Sequence, residues 1–61
     1  MIVSVKKAKE LVVGDPVLLS PNEITKVRTL FSASLYIKVI FTNGSHAYYE
    51  KSEPVEVLIS F

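Results

Sequence analysis

The chain has no cysteine among its 61 residues, so neither a disulfide framework nor a cysteine-based zinc site can staple it. At this length the absence matters, because a domain so small buries only ~60% of the surface its unfolded chain exposes. One histidine alone leaves no His/Cys cluster for a metal. Charge of one sign is also scarce: seven bases and six acids give a net +1. Affinity for nucleic-acid backbones scales with the phosphates neutralised, so the lack of a dense basic block disfavours strong sequence-independent DNA binding. No run approaches the ~18 apolar residues of a membrane span, and residues 1–7 lack a signal-peptide core. A cytoplasmic location is the resulting expectation. Stability has to come from an apolar fraction of 49%, the upper end of ordinary globular usage. A homodimer would cover any surplus apolar surface.

What is present is organised around Glu10 to Leu19, E-L-V-V-G-D-P-V-L-L. Gly14 can take the positive φ that ends a helical turn, and the Asp15 carboxylate can accept from nearby backbone N–H groups. Pro16 tolerates the first position of a strand and little else in a sheet, so a strand is expected from Val17 to about Ser20. Upstream, Ala8 and Leu11 share one face of a helical turn over Ala8 to Val12, which would plug one end of a barrel. Ile2, Val3 and Val5 suit a short first strand before Lys6-Lys7.

Pro21-Asn22-Glu23 reads as a β-turn, and Ile24 to Phe31 as a third strand. Alternation places Val27, Thr29 and Phe31 on one face and Lys26, Arg28 and Leu30 on the other; burying Val27 and Phe31 leaves Leu30 on the wet side. Ser32-Ala33-Ser34 is a small-residue connection. Leu35 to Phe41 is the plainest strand, with Ile37, Val39 and Phe41 facing inward.

Thr42-Asn43-Gly44-Ser45 then marks a hairpin leading into a strand from His46 to about Glu50. A two-residue turn would pair Phe41 with His46 and bury Tyr48. A three-residue loop with a bulge would bury Ala47 and Tyr49, exposing His46 and Tyr48. The second keeps histidine out of a crowded interior. After a turn at Lys51 to Pro54, a last strand alternates Val55, Val57 and Ile59 with Glu56, Leu58 and Ser60. Five or six short antiparallel strands at this spacing predict an all-β chain, and residues 1–61 are too few for anything but one small SH3-like barrel with its helical turn near 8–12.

The pattern A-x-x-L-x-x-G-D-x-V, carried by Ala8, Leu11, Gly14, Asp15 and Val17 and followed by Val55-x-Val57, resembles small uncharacterised SH3-like barrel proteins of bacteriophages and mobile elements. That resemblance implies a barrel fold and a binding or assembly role. Gly14-Asp15-Pro16-Val17 also looks like the opening of KOW-type SH3-like barrels of ribosome and transcription factors, although Pro21-Asn22-Glu23 stands where those carry a further glycine. A-x-x-L-x-x-G-D is similar, finally, to a segment of self-splicing inteins. Splicing chemistry is not expected, because Met1-Ile2 and Ser60-Phe61 stand where that chemistry needs a nucleophile and a His-Asn pair.

Catalysis finds little support. General acid-base work needs a tuned histidine or carboxylate; His46 adjoins a hairpin turn, and Asp15 follows a glycine in a turn, where a carboxylate serves the backbone. His46 with Glu50 or Glu53 has no recognised metal-ligand spacing. No enzyme, metal or cofactor is therefore expected. The strongest candidate is a binding face of Lys26, Arg28, Tyr36, Lys38 and Tyr48, which alternation puts on the outside of adjacent strands. Such a face could dock a protein, since tyrosine and arginine are common interface anchors, or stack bases and neutralise phosphates. Self-association through Tyr36, Ile40, Leu58 and Phe61 is a further expectation.

Overall fold

The computed structural model describes residues 2–60. It has six strands: β1 Ile2–Lys7, β2 Pro16–Ser20, β3 Glu23–Ser32, β4 Tyr36–Phe41, β5 His46–Glu50 and β6 Pro54–Ser60, with a single 3-10 turn at Ala8–Glu10. All ladders are antiparallel, and the strands lie in the order β1-β6-β2-β3-β4-β5. The chain is thus all-β, a small barrel-like fold with the helical turn where the Ala8/Leu11 spacing places it. No ladder joins the outermost strands, β1 and β5, among the described residues. The 3-10 turn spans this gap by backbone bonds to the β5–β6 connection, Ala8 N–H to Glu53 C=O at 2.9 Å and Lys9 N–H to Lys51 C=O at 3.0 Å.

The reversal at Gly14-Asp15 is built as the residue types dictate. Gly14 has φ +97°, a conformation that costs a residue with a Cβ about 1 kcal/mol. The Asp15 carboxylate accepts the Val12 N–H at 3.0 Å and the Lys6 ammonium at 3.1 Å. The same two residues begin the pairing with β3: Gly14 N–H donates to Val27 C=O at 2.8 Å, and Val27 N–H to Asp15 C=O at 3.0 Å. One short turn therefore joins β1, the 3-10 segment and β3.

Ala8, Leu11, Val17, Val27, Ile37, Val39, Phe41, Val55 and Val57 form the buried core, with Leu19, Leu30, Ala47 and Tyr49 packed against it. Two departures from strict alternation correct the expected core. In β3, Val27 pairs with Phe41 but Thr29 with Ile40, so Arg28 and Thr29 together oppose Ile40 in a bulge. Beyond it every side chain changes face: Leu30, opposite buried Val39, joins the inner side, and Phe31 turns out with 53% of its surface exposed. In β6 a second bulge falls where Ser60 pairs with Ile2 and Leu58 with Val3. Ile59 is consequently left facing outward, while Leu58 is buried, 5% exposed.

The β4–β5 hairpin adopts the three-residue register. Val39 opposes Ala47 and Ile37 opposes Tyr49. A type I′ turn needs positive φ at both Asn43 and Gly44, yet among the described residues no non-glycine has positive φ, and Gly44 alone in this turn does, at +89°. The Asn43 Oδ1 accepts from the Ser45 N–H at 3.0 Å and the Ser45 hydroxyl at 2.6 Å. Asn43 thus stays outside the left-handed region with its side chain bonded to Ser45, and the positive φ falls to glycine.

Candidate functional site: an aromatic and basic sheet face

Because β4 buries Ile37, Val39 and Phe41, its intervening residues Tyr36, Lys38 and Ile40 face outward. The hairpin register lays His46, Tyr48 and Glu50 beside them: Ile40 opposes His46, Lys38 opposes Tyr48, and Tyr36 opposes Glu50. On the other side of β4, the β3 bulge brings Thr29 opposite Ile40 and Phe31 opposite Lys38. Phe31, Lys38 and Tyr48 therefore form one row across three strands.

Tyr48 is the hub of this face. Its ring packs edge-to-face with that of Tyr36 at a centroid distance of 5.7 Å and an interplanar angle of 65°. The His46 ring meets it at 5.7 Å and 86°. Both are the edge-to-face geometry that the ring quadrupole favours. The Lys38 Nζ lies 5.7 Å from the Tyr48 ring centroid, inside the ~6 Å reach of a cation–π contact. These contacts order the cluster while leaving Tyr36 and Tyr48 exposed at 46% and 57%.

Of the five residues expected on a binding face, Tyr36, Lys38 and Tyr48 are brought into contact. Lys26 and Arg28 are exposed on β3, Lys26 beside the hairpin end, where its backbone pairs with Thr42, and Arg28 at the bulge. Neither makes a hydrogen bond, ion pair or ring contact with the cluster among the described residues. Phe31 is the member that strict alternation conceals. The clue to it is Leu30, which that alternation strands in water.

The self-association set does not assemble as expected. Leu58 is buried, Ile40 is half-buried, and Phe61 lies outside the described residues, leaving Tyr36 within the face just described. Among the described residues no three His, Cys, Asp or Glu side chains gather to hold a metal, and no helix is long and apolar enough to cross a membrane. No protein-family model, curated protein or solved structure matches the chain.

Proposed function

We propose that this chain is a non-enzymatic binding module that docks a protein partner through the outer face of β3, β4 and β5, with Tyr48 as its anchor. The supporting observation is that Phe31, Tyr36 and Tyr48 stand exposed together around Lys38, although the core is complete without them. Rings already ordered by edge contacts lose little rotamer freedom on binding, and tyrosine anchors of this kind carry a large share of interface energy. The cytoplasmic location, and the bacteriophage or mobile-element source implied by the resemblance, belong to the same proposal. A nucleic-acid reading draws on Lys26 and Arg28, which add cations to the strand that carries Phe31, a combination suited to stacking and phosphate neutralisation.

Affinity capture with the parent and Tyr48→Ala proteins across a salt series tests the proposal. A protein retained by the parent at high salt and lost with Tyr48→Ala is expected, with a loss of about 2 kcal/mol, or roughly 30-fold, in the affinity of the purified pair. Retention of nucleic acid that fades steeply as salt rises favours the second reading. Equal capture by both proteins refutes the role given to Tyr48.

A further inference from the structure

A second feature lies at the end of the barrel closed by the 3-10 turn, away from the aromatic face. Between that turn and the strands β3 and β4 is a cavity of about 270 Å³, floored by Ala8, Leu11, Leu30 and Ile37. Ala8, Leu11 and Ile37 belong to the buried core, so the floor is set by the fold. Lys9 and Lys51 stand at the rim with Ser32. The backbone bond from Lys9 N–H to Lys51 C=O holds the two lysines side by side.

Among the described residues the side-chain ion pair is Lys6 with Asp15, and neither rim lysine has an acidic partner. The nearby acids Glu10, Glu50 and Glu53 keep their charge but none is within ion-pair distance of Lys9 or Lys51; the Glu10 carboxylate accepts the Lys7 N–H at 2.9 Å, and the Glu53 carboxylate accepts the Glu50 N–H at 3.1 Å. Two cations over an apolar floor complement a molecule with an apolar body and an anionic head. Pockets for small molecules begin near ~300 Å³, so the body is limited to a single ring or a short branched chain.

We infer that this cavity is a binding site for a small organic carboxylate, its apolar part on Leu11, Leu30 and Ile37 and its carboxylate between Lys9 and Lys51. The inference stands apart from the protein-docking face and survives its failure. Phenylacetate is the probe, followed by methyl and amide chemical shifts of the intact chain, with neutral phenylacetamide as its isostere. Saturable shifts at Ala8, Leu11, Leu30 and Ile37 in the millimolar range are expected, as befits so small a ligand. The amide should bind about fivefold or more weakly. A Lys9→Gln/Lys51→Gln protein should lose this preference, and Ser32→Phe, an exposed-site change that fills the mouth, should lose the shifts. Absent shifts, equal binding of acid and amide, or shifts confined to Tyr36 and Tyr48 would each overturn the assignment.

Discussion

Replacing Asp15 by alanine tests the turn that joins three parts of the barrel. The substitution removes the acceptor of the Val12 N–H, at 3.0 Å, and of the Lys6 ammonium, at 3.1 Å. The first loss resembles that of a capping side chain, about 1 kcal/mol, because water can reach the exposed amide. The second is smaller, about 0.5 kcal/mol, since the Lys6 side chain is 38% exposed and solvent screens the pair. Together they amount to ~1.5 kcal/mol, against a total stability of roughly 3–9 kcal/mol for a chain this long. In a two-state urea titration the midpoint should fall with an unchanged slope, and Tm should drop by about 6–12 °C. The Asp15→Asn change keeps an acceptor and loses the charge, so it should cost about a third as much. A double-mutant cycle with Lys6→Gln should isolate a coupling of at most ~1 kcal/mol. An Asp15→Ala protein within ~0.3 kcal/mol of the parent refutes the claim that this carboxylate holds the reversal.

Two further substitutions separate the bulged β3 register from strict alternation. Leu30→Ala should cost about 1–2 kcal/mol, part of a full core truncation because the residue is half-buried, whereas Phe31→Ala should stay within ~0.5 kcal/mol despite removing more atoms; denaturant midpoints in the reverse order would restore the unbulged strand. Burial raises the Tyr49 phenol above its ordinary value, and the negative charge of Glu53 raises it further. The folded state therefore favours the neutral phenol: this contribution is complete below the unfolded value of about 10 and is lost as pH rises through the higher folded-state value. Stability of the parent should accordingly fall relative to Tyr49→Phe above about pH 10, measured by urea titration at stepped pH, and a difference that does not vary with pH there contradicts the buried phenol.

Much of the fold is legible in the sequence wherever local chemistry and tertiary demand coincide. Gly14 with Asp15, the Ala8/Leu11 spacing and the Ile37-Val39-Phe41 alternation each admit few conformations. The hairpin register follows from keeping histidine out of the interior in favour of alanine. Phe31 and Ile59 are misread because a bulge adds a residue without a sequence signature of its own, and period-two counting carries the error to the end of each strand. The juxtaposition of Tyr36, Lys38 and Tyr48 on one outer face is legible because they lie on a regular hairpin. The Lys6–Asp15 pair escapes notice because it spans a turn whose closure depends on β1.

The extra residue accommodated at Arg28 decides what this barrel shows to its surroundings. Were it absorbed beyond Phe31 instead, the phenyl ring would swing into the packed centre and Leu30 would be pushed into water, erasing the aromatic row without altering any of its residues. A chain shortened by Arg28, by contrast, would run as a plain ladder and keep both side chains where they are. The identity of the surface thus depends on where a strand hides its surplus length as much as on its composition, and a change of one residue in β3 is harmless or transforming according to its position.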